Sequence, residues 1–289
     1  MVKHVDFKRK EIIIPGATVI TLDAESALGF APIEVYAQAK AKIKKDFIDN
    51  ERAIKSLTNG INFETLKGSQ FFWNNYLNNF LKEQGINGRI MNINDLGNIY
   101  ALDKNFFENH YSDTINLCLR SEEIGWKNNK HILEDLVKQV KSREKSFSPK
   151  NPLIISNLEI VSDNNSNNFY GLLLKLKEDS ILENDERFAF GKNKIKFESL
   201  FGDVEKNLYT KEKDLSRVYA NDSQNVNGDN DVLHDSNDNG WVVFVSDEVA
   251  NSSQNFKEHL KSLKEERDKQ ITEINQRYIQ ALDILKGKK

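Results

Sequence analysis

Asp235, Asn237 and Asn239 set oxygen-bearing side chains at alternate positions, and Gly240 follows at the sixth. That spacing is the first half of a calcium loop, in which hard oxygen ligands converge around a sharp glycine turn. The second half departs from the pattern. Its twelfth position is Ser246 instead of a bidentate Glu, and residues 241–245 read as a strand. The leading expectation is therefore no metal and no cofactor, with calcium on Asp235, Asn237 and Asn239 as the lesser reading. Other chemistry finds little footing. The chain lacks a nucleotide-binding glycine loop, a Gly-x-Ser-x-Gly elbow and a His-Glu-x-x-His pair. Its histidines (His4, His110, His131, His234, His259) are scattered, and Cys118, the single cysteine, sits in an apolar run that reads as core. An enzyme is not expected.

Those three oxygens belong to a longer run. Between Asn221 and Gly240, eleven of twenty residues are Asn or Asp, and only Val226, Val232 and Leu233 are apolar. Asn and Asp compete with the backbone for hydrogen bonds and favour turns, so such a run does not fold unaided. It is flanked by Leu215-Ser-Arg-Val-Tyr219 and by the strand-like Trp241-Val-Val-Phe-Val. A polar, irregular strip held on both sides is how a scaffold presents a recognition loop.

The elements that must hold it read as α+β. Residues 11–22 are two short strands about Pro15-Gly16, and Pro32 opens a long helix reaching about Leu57. A second helix spans about 63–84, with Phe71-Phe72-Trp73 as core, ending at Gly85. A strand near 88–93 and short helices through Leu119 follow, then a helix over about 131–146. Beyond the Pro-containing stretch 147–152 the period changes from 3.6 to 2, giving strands at 153–161, 169–176, 195–197, 208–209, 218–219 and 241–245. From Ser252 or Ser253 an apolar stripe from Phe256 to Leu285 reads as one long amphipathic helix. The expected organisation is a mainly helical domain over 1–146, a linker at 147–152, a mixed β domain over 153–250 and the helix 252–289.

Residues 208–246 resemble the variable region of diversity-generating retroelement target proteins whose final domain has a C-type-lectin or formylglycine-generating-enzyme-like fold. The likeness lies in Leu208-Tyr209-Thr210, the Leu-Ser-Arg-Val-Tyr motif at 215–219, the Asn-rich run 221–231, Leu233, the Asp-Ser-Asn-Asp-Asn-Gly turn at 235–240, and Val242, Val243, Phe244 and Val245. Upstream, Leu158-Glu-Ile-Val and Phe169-Tyr-Gly-Leu-Leu-Leu resemble the strand pair that opens such domains. The resemblance implies that an error-prone reverse transcriptase rewrites adenines, turning Asn codons into Asp, Ser, His, Gly, Val or Tyr. Asn221, Asp222, Ser223, Asn225, Asn227, Asp229, Asn230, Asp231, His234, Asp235, Asn237, Asp238 and Asn239 then form the ligand-binding variable set. Gln224 falls outside that set and reads as fixed framework. Leu215, Val218, Tyr219, Leu233 and 242–245 are expected to be buried.

The function expected is ligand binding through a diversifiable surface, with a protein or glycan as the macromolecular partner. The alternative is a phage or host structural protein that assembles through its helices, with the Asx-rich run a spacer and the C-terminal helix mediating oligomerisation. A net charge of −3 with no polybasic face argues against nucleic acid. No run approaches the roughly 20 apolar residues of a membrane span, and the basic start is broken by Glu11, Pro15 and Asp23, unlike a signal peptide. A cytoplasmic or virion-associated location is expected.

Overall fold

The computed structural model describes residues 11–14, 17–22, 32–86, 88–199 and 201–246. Among these, five α-helices and two sheets form a mixed α+β fold. The larger sheet has seven strands in the order β6 (Leu172–Asn184), β5 (Leu153–Ser162), β4 (Ser112–Leu119), β9 (Leu215–Ala220), β10 (Val226–Gly228), β8 (Val204–Thr210) and β7 (Lys194–Phe197). All its pairings are antiparallel except β10 with β8. The smaller sheet runs β1 (Glu11–Ile14), β2 (Ala17–Leu22), β11 (Val242–Ser246) and β3 (Arg89–Ile90). The pairing of β2 with β11, from Val242 opposite Leu22 to Ser246 opposite Thr18, joins the two ends of the described fold.

The central strands are covered on both faces. Leu117, Leu119, Leu153, Ile155 and Leu215 join one apolar cluster with Phe71, Phe72 and Trp73 of α3 (Phe71–Glu83). The alternate residues Cys118, Ile154 and Val218 join a second cluster with Leu96 and Tyr100 of α4 (Ile93–Leu102). Period-2 alternation sends successive side chains to opposite faces, so a strand with both faces covered loses the apolar/polar contrast. Every residue of β4 is buried, including Asp113, Thr114 and Asn116. This is why 112–119, expected as the tail of short helices, is instead a central strand.

The boundary expected at 147–152 does not divide two bodies. Strand β4, from before that stretch, pairs with β5 and β9 from after it, and the described residues on both sides of it fall in one compact unit. The helix expected from Pro32 to Leu57 is two: α1 (Pro32–Asp46) and α2 (Glu51–Thr58). Asn50 breaks it, because its Oδ1 accepts the Ala53 amide at 3.0 Å while its Nδ2 donates to Gly171 O at 2.9 Å. The second helix also starts later than expected, at Phe71. Gln70 caps it, and the preceding residues include left-handed Leu66 and Gly68. Helix α5 (Lys130–Ser142) packs on β6. None of the helices is long and apolar enough to cross a membrane among the described residues. The amphipathic helix expected over 252–289 lies outside the described residues, as does the Pro15-Gly16 turn.

Candidate functional site

The Asx-rich run leaves β9 through a turn built on its first residue. Asn221 Oδ1 accepts the Ser223 and Asn225 amides at 3.1 and 2.8 Å, and the Asn221 amide donates to Asn225 O at 3.0 Å. A carboxamide used this way stands in for a backbone turn. Gln224 occupies left-handed backbone at φ 62°. Strand β10, not anticipated from the polar sequence, then inserts between β9 and β8, with Val226 opposite both Ala220 and Leu208 and fully buried. Gly228 is closely approached there, since a Cβ would lie 3.2 Å from Arg120 Nη2 and 3.3 Å from the Phe188 ring.

From Asp229 to Gly240 the chain has no regular structure, yet its backbone is tied to distant elements. Arg217 N donates to Asn230 O at 3.0 Å, Asn129 Nδ2 to Asp231 O at 3.0 Å, and Asn59 Nδ2 to His234 O at 2.7 Å. The Leu233 side chain is fully buried and its amide donates to the Tyr170 hydroxyl at 3.3 Å. Tyr111 holds the far end. Its hydroxyl accepts the Asn237 amide at 2.6 Å and lies 2.8 Å from Ser236 Oγ, while Ser69 N donates to that Oγ at 2.9 Å. Gly68 N donates to Gly240 O at 2.7 Å, and Tyr111 N to Asn239 O at 3.1 Å. The glycine at 240 is explained by this seam, because a Cβ would sit 2.5 Å from Ser69 N and 2.8 Å from the Tyr111 ring.

None of the thirteen candidate side chains is buried. Asp222, Ser223, Asp235, Asn237, Asp238 and Asn239 are exposed. Asn221, Asn225, Asn227, Asp229, Asn230, Asp231 and His234 are half-buried. Beneath them Leu215, Val218, Leu233, Val242, Val243, Phe244 and Val245 are buried, while Tyr219 is half-buried. Tyr219 reaches the surface because it forms the floor of a cleft of about 250 Å³ with Tyr111 and Arg217. The cleft walls come from separate parts of the run: Asn221 and Asp222, Asn230, and Asp235 to Asn237.

Arg217 fixes this floor. It is buried, with Nη1 2.9 and 2.8 Å from the two Asp113 carboxylate oxygens and 2.9 Å from Asp235 O, and Nη2 3.2 Å from Asp235 Oδ2. Its guanidinium lies 4.4 Å from the Tyr219 ring centroid, within cation–π range. Burial pushes the Asp113 carboxyl up to about 6, with Arg217 pulling it back down. Burial also opposes the charge on Arg217, but Asp113, Tyr219, Tyr111 and Asp235 together hold its pKa above the usual value. His234 packs edge-on to Tyr170, ring centroids 5.2 Å apart, and burial lowers its pKa against the pull of Asp235, which favours the neutral ring. Lys211 pairs with Asp231 at the opposite margin.

The alternate oxygens of the half calcium loop are engaged within the chain. Asp235 Oδ2 accepts from Arg217 and from Asn230 Nδ2 at 3.2 Å, and Asn237 Oδ1 accepts the Asn239 amide at 2.9 Å. Ser246, where the twelfth ligand would stand, lies in β11. The residues close turns and do not fit a twelve-residue cation loop.

Sequence reasoning placed Arg217 and Tyr219 in a framework motif but missed Asp113, Tyr111 and Ser69, which complete the support. Tyr111 and Asp113 lay in a stretch expected as short helices, and Ser69 inside the expected second helix, where none of the three stood out. Comparison of the chain with protein-family models, with curated proteins and with solved structures returns no match.

Proposed function

We propose that this chain is a binding protein that offers residues 221–240 as a diversifiable recognition surface, as in retroelement-diversified proteins with a lectin-type final domain. One observation carries the reading: the backbone of the run is held by Asn59, Gly68, Tyr111, Asn129 and Tyr170, while none of its thirteen Asx, Ser or His candidates is buried. Anchoring through main-chain groups leaves side-chain identity free at positions that do not themselves close a turn, as Asn221 and Asn230 do, and exposed substitutions away from caps and core usually change stability by less than about 0.5 kcal/mol. The cleft over Arg217, Tyr111 and Tyr219 supplies rigid aromatic and cationic groups of the kind that dominate recognition energetics. A spacer loop would need neither the seam nor a cleft.

The test is a library randomised at Asp222, Asp229, Asp238 and Asn239 among Asn, Asp, Ser, Tyr and His, displayed and selected against unrelated proteins. Folded members should dominate the unselected pool and specific binders should emerge. A pool that is mostly unfolded, or folded but barren against every target, would contradict the reading.

A further inference from the structure

Beside the first turn of the run lies a second cleft, of about 440 Å³, whose fixed walls come from β7, β8 and the turn after α4. Three lysines, Lys104, Lys194 and Lys206, line it against one carboxylate, Glu205, a surplus of two positive charges on a chain whose net charge is −3. Lys194 is neutralised by Glu205 at 2.5 Å. The other two are not: among the described residues neither Lys104 nor Lys206 has a carboxylate within ion-pair distance. Lys206 is half-buried with its ammonium 4.0 Å from the Tyr100 ring centroid, and burial lowers its pKa with no acidic neighbour to restore it. A half-desolvated cation facing a cleft is completed by an incoming anion.

The remaining lining narrows the anion's chemistry. Asn105, Asn207, Gln224 and Asn225 contribute carboxamides, Ser223 a hydroxyl, and no apolar side chain takes part. The amides are held in place: Asn207 Nδ2 donates to Asn225 Oδ1 at 3.1 Å, and Gln224 Nε2 lies 3.5 Å from Asn105 Oδ1. An acidic peptide would bring apolar side chains that nothing here covers, and a nucleic-acid backbone needs a longer basic track. Carboxamides and ammoniums around an open, wholly polar cleft suit hydroxyls and one or two anionic substituents.

We infer that this cleft binds an acidic saccharide, with Lys104 and Lys206 contacting its sulfate or carboxylate and the four carboxamides its hydroxyls. All the lining residues except Ser223 and Asn225 lie outside the candidate variable set, so the lysine contacts stand or fall apart from the diversification reading.

The experiment is calorimetric titration of the full chain with a sulfated tetrasaccharide, its desulfated counterpart and a penta-aspartate peptide, at low and physiological salt. The sulfated sugar should bind, more weakly as salt rises, and better than either control. Lys104→Gln and Lys206→Gln should each weaken it about tenfold, the size of one charge-assisted contact, while Lys45→Gln on α1 leaves it unchanged. Lys104 is exposed on a turn, so its variant answers the question even if Lys206→Gln misfolds. No binding of the sulfated sugar, binding indifferent to Lys104→Gln, or equal binding of penta-aspartate would overturn the assignment.

Discussion

Arg217 and Asp113 stand on adjacent strands, β9 and β4, and make a buried ion pair at 2.8–2.9 Å under the Asx-rich run. The pair is shared upward, because Arg217 also bonds Asp235 in the Asx-rich run. One guanidinium thus links the sheet to the loop it supports. Removing one partner of a buried pair strands the other charge, at a cost of about 3–5 kcal/mol. Arg217→Met should therefore destabilise the fold by roughly that amount, while Asp113→Leu combined with Arg217→Met should cost clearly less than the two single changes together. Denaturant unfolding of the three variants is the check, and strictly additive losses would argue against the coupling.

Asp113 also predicts a pH dependence. An unfolded aspartate titrates at about 3.9, whereas this one is pushed up to about 6 by burial. The folded state then binds the proton more tightly, so stability from this group is complete below about pH 4 and is lost as pH rises through about 6. Carboxyl-selective NMR should find the Asp113 midpoint near 6. A midpoint at or below the unfolded value would mean that the ion pair outweighs desolvation.

Gly240 and its neighbour Asn239 should respond in opposite ways. A methyl at 240 meets Ser69 N and the Tyr111 ring, and forcing atoms into such a seam costs about 1–3 kcal/mol. Asn239 is exposed, so Asn239→Ala should stay within about 0.5 kcal/mol. Thermal melts of both variants decide it. Equal tolerance at the two positions would show that the seam does not constrain the turn.

Not all thirteen candidates should be equally replaceable. Asn221 Oδ1 closes the first turn, and Asn230 Oδ1 accepts the Val232 amide at 2.8 Å. Losing a side chain that satisfies backbone donors costs on the order of 1 kcal/mol, so Asn221→Ala and Asn230→Ala should melt measurably lower than Asp222→Ala or Asp238→Ala. Parity among the four would indicate that the amides are satisfied by solvent.

What could be read from the chain follows from which faces are covered. Phe71-Phe72-Trp73 was legible as core because clustered large aromatic side chains are usually buried, and Leu215, Val218 and Leu233 because the resemblance places them in the framework. Strand β4 was not legible. Buried on both faces and carrying Asp113, Thr114 and Asn116 inward, it has no contrast to display, and the ion pair that justifies Asp113 comes from a residue a hundred positions away. Strand β10 was hidden for a related reason: Val226 is its only apolar residue, and its place depends on the parallel partner β8. The Asn50 break between α1 and α2 left a local trace, an Asn before Glu51, but the force of that cap lies in its bonds to the loop around Gly171. The surface residues were visible by composition, and the anchors beneath them were visible only in three dimensions.

The most direct test of the account is amide hydrogen exchange, residue by residue, across 221–240. The amides of Asn225, Val232, Leu233, Asp235, Asn237 and Gly240 each have an acceptor in the fold and should exchange far more slowly than an unstructured chain. The Asp222 amide, for which no acceptor is seen among the described residues, should exchange fast. Exchange at the unstructured rate throughout the run would contradict the claim that a rigid scaffold presents this surface.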